Sequence, residues 1–131
     1  MVTRPSGATD EPCPLPINDR FDLLSSHYRR YTLYSLSLFT LPVSLPRVAD
    51  AVTELLYEMP ADEIDERRLS VYLTLYHSHI PRLADAEVVT YNQEDDTITL
   101  GPNMSHLSPL LEQTLTEEFP QGIKAHLLGA R

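Results

Sequence analysis

Apolar residues recur along this chain with two periods, one near 3.6 and one near 2, and the changeover divides it. From Phe21 the pattern is helical. Ser25 or Ser26 can cap that region, and His27–Phe39 contains no proline or glycine. Its apolar residues fall on two sides: Leu33 and Leu36 on one, Tyr28, Tyr31 and Leu38 on the other. A helix apolar on two sides is covered on two sides. It is either a central core helix or one whose tyrosine side meets a second subunit.

Leu41–Leu45 reads as a short extended piece interrupted by Pro42. Ser44 and Pro46 then mark a helix start, because a proline in the first turn loses no intrahelical bond. Val48, Val52, Leu55 and Leu56 carry this second helix to about Met59, and Pro60 stops it. Asp62 or Asp65 can cap a third helix that reaches Ala84 or Asp85. On a uniform wheel of about 100° per residue, Leu69, Tyr72, Leu73, Tyr76, His79, Ile80 and Leu83 share one face. Arg67, Ser70, Thr74, His77, Ser78 and Arg82 lie opposite. Pro81 predicts a kink or a tightened final turn. The period then drops to 2: Val88–Tyr91 and Thr97–Leu100 alternate as strands around a turn at Asn92–Asp96. After Gly101 and Pro102 a last helix is expected, capped by Ser108 with Pro109 in its first turn. Leu107, Leu111 and Leu115 recur along it at i+4, joined by Leu110 and Phe119.

These elements predict a mostly α fold with a small β-hairpin. The organisation expected is a flexible leader over 1–19, a folded domain over 20–101, a C-terminal helix over 102–119 and a tail over 120–131; that helix either folds back onto its own domain or, the reading preferred, is a dimerisation helix. Tyr28 and Tyr31, with Leu107, Leu111 and Leu115, are the candidate dimer interface.

Composition changes the picture in one respect. The chain has 131 residues, 42% of them hydrophobic, which is enough for one real core. Its formal net charge is -9, and the 10 basic residues are all arginine except Lys124. Such a balance suits a salt-rich cytoplasm, where carboxylates keep a surface hydrated. In molar salt the Debye length is only ~3 Å, so net charge says little about whether a polyanion can approach. No apolar run approaches the ~20 residues of a membrane span, and the leader lacks the apolar core of a secretory signal. A cytoplasmic protein is expected, with no membrane partner. Cys13 is the only cysteine, so no intrachain disulfide and no cysteine-based zinc site can form.

The segments LLSSHYRRYTLYSL (23–36), PVSLPRVADAV (42–52) and VYLTLYHSHIPRLADAEVVTYN (71–92) together resemble an uncharacterised haloarchaeal winged-helix family. More distantly, HIPRLADAEVV is similar to the recognition segment of arsenic-repressor-like bacterial regulators. The resemblance covers about Leu23 to Leu100. It implies a winged helix-turn-helix transcriptional regulator; with the pairing expected from the terminal helix and the tyrosine side, the reading is a homodimer on double-stranded DNA. Two recognition helices would then read half-sites about one helical turn (~34 Å) apart. Glu87 stands where the family carries glycine, so a positive φ there would strain a side chain.

The chemistry needed is cations or N–H donors for phosphate, and side chains that reach base edges. Arg67, Ser70, Thr74, His77, Ser78 and Arg82 are the candidate recognition-helix contacts, with Arg29 and Arg30 for phosphate. The hairpin is the segment most hostile to DNA: Ala86–Gly101 holds four acids and no base. The same acidity supports the alternative of a protein–protein interaction module without DNA contact. His77 and His79, two apart on a helix, diverge by about 200° and cannot share a metal ion. His79 is expected on the buried face, donating to a backbone carbonyl. No phosphate loop, nucleophile elbow or nucleophile with an obvious base is present, so no enzyme, cofactor or small-molecule ligand is expected.

Overall fold

The computed structural model describes residues 15–127. Among these, the chain is mostly helical with a small three-stranded antiparallel sheet. Pro16 opens a short helix α1 (Ile17–Leu23), and the chain then breaks at Ser25. Ser26 caps α2 (His27–Leu36), its side chain accepting from the Arg29 N–H at 3.4 Å. From Thr32 to Leu36 every residue of α2 is buried, which makes it the central helix.

Strand β1 (Val43–Ser44) leads directly into α3 (Leu45–Tyr57). Ser44 caps α3 by accepting from Arg47 N–H at 3.3 Å, and Pro46 sits in the first turn. Leu45, Val48 and Val52 have no exposed surface at all. α3 ends at Glu58 in the left-handed region (φ 55°). A single 3₁₀ turn (Ala61–Glu63) follows, held because the buried Glu54 carboxylate accepts from Ala61 N–H at 2.9 Å. Next come α4 (Asp65–Thr74), a wide π turn (Leu75–His79) and α5 (Ile80–Asp85). Strands β2 (Val89–Asn92) and β3 (Thr97–Leu100) form a hairpin, and β1 adds to its far edge in the order β1-β3-β2. Ile98, in register with both Val43 and Tyr91, is completely buried beneath the sheet. α6 (Met104–Glu118) and a final 3₁₀ turn (Ile123–His126) pack back on α2 and α3.

The junction between α5 and β2 requires two special residues. Glu87 has φ 60°, in the left-handed region that favours glycine. Its carbonyl accepts from Asn103 N–H at 2.8 Å, and the Asn103 amide donates to Ala86 O at 3.0 Å. Gly101 crosses this loop so closely that a Cβ there would run into the Glu87 carbonyl.

Five expectations need correction. The burial spacing through the third helix is Val71, Leu75, Ile80, Leu83, with a step of five at the π turn. The uniform wheel misses that step, so it placed Leu69 and Leu73 inside, whereas they are 59% and 42% exposed. The cause is Pro81, which lacks an N–H and whose ring would collide with an α-helical carbonyl four residues back. The backbone widens instead of tightening, and Ile80 N–H reaches Leu75 O. Second, α4 starts at Asp65 itself and has no side-chain cap. Third, α6 begins at Met104, not after Ser108, and carries Pro109 inside it.

Fourth, Leu107 and Leu111 are buried in the chain's own core and cannot supply a dimer surface; Leu115 is half-buried. The tyrosine side of α2 is likewise covered from within, Tyr28 by His79 (ring centroids 5.2 Å) and Tyr31 by Phe119 (5.4 Å). Fifth, the leader and tail boundaries move. Leu15 is buried and Ile17–Leu23 is helical, while Ile123 and Leu127 are buried at the other end. The first fourteen residues, with Cys13, and the last four lie outside the described residues.

Candidate nucleic-acid interface

The outer surface of α4, the π turn and α5 is positioned by the four buried anchors Val71, Leu75, Ile80 and Leu83. On the same stretch Arg67, Ser70, His77, Ser78 and Arg82 are exposed and Thr74 is half-buried. Their alignment depends on the π turn. One extra residue in a turn sets the following residues back by about 100°, which returns Arg82 towards the line of Ser70 and Thr74. All six residues of the sequence-predicted polar stripe keep surface on this stretch, as do Leu69 and Leu73.

Individual contacts limit what each member can do. Thr74 donates its hydroxyl hydrogen to Ser70 O at 2.8 Å, so towards a ligand it is an acceptor. Arg67 lies over the Tyr57 ring at 4.8 Å, an arrangement that leaves its N–H donors open. Arg82 pairs with Asp22 of α1, each half exposed. Pairs of that kind are worth roughly 0–1 kcal/mol and exchange readily for another anion.

The two arginines expected on phosphate are occupied. Arg29 is buried, donating from Nε to Leu23 O (2.7 Å) and from Nη2 to Asp22 O (2.9 Å). Its Nη1 meets His79 Nδ1 at 3.1 Å. Arg30 grips Glu118 with two nitrogens at 2.6 and 2.9 Å and donates to Leu24 O at 2.5 Å. Tyr34 also donates to Glu118, at 2.7 Å. Burial pushes the Glu118 carboxyl up, but the hydrogen bonds from Arg30 and Tyr34 outweigh it and hold it below the usual range. Both arginines thus belong to the fold. Arg68 is also engaged, bidentate on Asp50 at 2.7 and 3.1 Å.

His79 is half-buried rather than donating to a carbonyl. A guanidinium only donates, so Nδ1 must be the lone-pair nitrogen and the ring proton sits on Nε2. Burial, then the Arg29 and His27 charges, lower its pKa. Among the described residues no cluster of three or more His, Cys, Asp or Glu could hold a metal ion. Nor is any helix among them long and apolar enough to cross a membrane.

The hairpin tip turns part of its acidity inwards. Asp96 accepts from Tyr72 at 2.8 Å and from Tyr91 at 2.5 Å, while its carbonyl accepts from Leu45 N–H at 2.8 Å. The Asp96 hydrogen bond and burial push the Tyr72 hydroxyl up to about 12. One residue thereby ties the hairpin to α4 and to the start of α3. Glu94 and Asp95 remain exposed.

Residues 21–99 match a family described as Domain of unknown function (DUF7344). The chain belongs to that family. No curated protein and no solved structure matches it. The DUF7344 match ends before α6, so the helix that supplies Glu118 and Leu107 lies beyond the family segment. Asp22, Asp96 and Glu118 all escaped the sequence reading. Asp22 and Glu118 act over 60 and 88 residues of separation, and no local pattern reports such pairs.

Proposed function

We propose that this DUF7344 protein is a winged helix-turn-helix that binds double-stranded DNA through α4–α5 and regulates transcription in a halophilic archaeon. The observation that carries this reading is the order of elements: helix, short strand, two helices, then a hairpin, with the first strand paired to the second hairpin strand. In that order α4–α5, anchored by four buried residues, carries exposed hydroxyls, a histidine and two open or loosely held arginines. The acidic, arginine-over-lysine composition supports the halophilic origin.

Because Arg29, Arg30 and Arg68 are engaged internally, few phosphate contacts are available. Affinity should fall with a slope of about -0.9 per phosphate neutralised on a log–log salt plot, giving a shallow dependence overall. Pairing of two copies would use surface left open by the fold, such as the rim formed by Leu100, Met104 and Leu115. These line an apolar groove of about 320 Å³ between α2 and α6.

The test is a titration of purified protein against duplex DNA from upstream of its own gene, in molar potassium chloride, with Arg82→Ala alongside. Saturable, sequence-selective binding that weakens in the variant supports the reading; absence of binding from folded protein at every salt overturns it. A second reading, a protein-interaction module, is favoured by exposed Glu94 and Asp95 at the hairpin tip, which would repel a phosphate backbone.

A further inference from the structure

We infer that Leu69 and Leu73 read the C5-methyl groups of thymines in the major groove. This rests on the DNA reading above. The two leucines are one turn apart on the open side of α4 and are 59% and 42% exposed. Two leucines left this open on one helix represent apolar burial that the fold has not used. They are flanked by Ser70 and Thr74, and the neighbouring Tyr72 hydroxyl is already committed to Asp96.

Leucine has no donor and no acceptor. Of the features that base pairs display in the major groove, the thymine methyl is the apolar one, so it is the feature leucine can match. The rest of the face sharpens the match. Arg29, Arg30 and Arg68 are held by internal partners, and Asp65 and Glu66 at the head of α4 turn phosphate away from that end. Discrimination must come from base edges more than from charge. Apolar contacts also persist at salt concentrations that screen ion pairs. Four helical residues span about 6 Å of axis, and a base-pair step is about 3.4 Å. With α4 along the groove, the two methyl groups sit roughly two base-pair steps apart.

The test starts from a pool of duplexes with a randomised centre, selected on the full chain in molar potassium chloride. The best selected duplex is titrated as it stands and with its thymines replaced by deoxyuridine, which removes the methyl groups alone. Each methyl is expected to contribute about fourfold in affinity, roughly fifteenfold for the pair. Leu69→Ala combined with Leu73→Ala should bind both duplexes equally, at the weaker level, with an unchanged melting temperature. Equal binding of the two duplexes by the natural chain overturns the inference while the DNA reading stands. So does a methyl effect that survives the double variant. DNA binding untouched by the double variant overturns it too, and points to a protein contact at these leucines. Capture of no duplex overturns both readings.

Discussion

The seam between α2 and α6 and the outer face of α4–α5 are built from the same residue types, arginine, hydroxyls and a carboxylate, to opposite ends. In the seam, Arg30 and Glu118 are only 19% and 25% exposed, and Tyr34 and Thr114 close the network around them at 2.7 Å. On the outer face, Arg82 and Asp22 are 50% and 52% exposed and meet through one nitrogen and one oxygen. The first pair is shielded from competing water and crosses between two helices, so it holds structure. The second exchanges with solvent and is free to hold something else. An arginine's availability is therefore set by the burial and number of its partners, which is why three of the chain's cations drop out as ligands.

The sharpest break of this contrast is in the core beside the seam. Leu107→Ala, at a site with no exposed surface, should cost about 2–5 kcal/mol of unfolding free energy in urea titrations. Leu69→Ala, on the open face, should change it by less than about 0.5 kcal/mol. Equal costs would mean that α6 is not part of the core. Next in size is Glu118→Ala, which takes both carboxylate contacts from Arg30 and leaves Tyr34 with Thr114 alone. We expect a loss of about 1–3 kcal/mol, with Glu118→Gln between the two. A negligible loss would show that the seam tolerates an unpaired guanidinium, and the contrast with Arg82 would collapse.

Much of the architecture was legible from pattern alone, because capping serines, period and turn chemistry act locally. Ser26 and Ser44 cap the helices they were expected to cap, and the hairpin strand Thr97–Leu100 begins and ends as read. The failures share one cause, dependence on something distant or on a backbone irregularity. A single inserted residue ahead of Pro81 shifted the buried face by one position and exposed Leu69 and Leu73. Pro81 is the available signal: it predicts a kink or a tightened turn, and the local outcome is a widened one. The tail carries one unused signal: Phe119, Ile123 and Leu127 recur at i+4, and all are buried.

A smaller effect separates the two regions by pH. His79, packed on Tyr28 and beside Arg29, has a pKa below its ordinary 6.5, owing to burial first and the Arg29 and His27 charges second. The unfolded chain then binds the proton more readily than the folded one. The contribution is complete above about pH 6.5 and is lost as pH falls through the lower folded value. The urea midpoint should therefore drop between pH 8 and 5.5, and His79→Gln should flatten that limb. The limb survives in Glu118→Gln, since that carboxyl is held below the ordinary carboxylate range, outside this pH window. A steep limb in His79→Gln would move the responsible group elsewhere.

The smallest effect tests the outer face directly. Asp22→Ala removes the carboxylate that pairs with Arg82 but keeps the Asp22 carbonyl on which Arg29 depends. Stability should change by less than about 0.5 kcal/mol, because an exposed pair contributes little. If Arg82 contacts DNA phosphate, Asp22 competes with it, and its loss should raise affinity about two- to fivefold. Arg82→Ala should lower affinity, and Asp22→Ala added to it should then have almost no further effect. Unchanged affinity in Asp22→Ala would mean that Arg82 keeps its pair while bound, or does not touch the ligand. The double variant separates these cases: only a contacting Arg82 leaves a deficit that Asp22→Ala cannot repair.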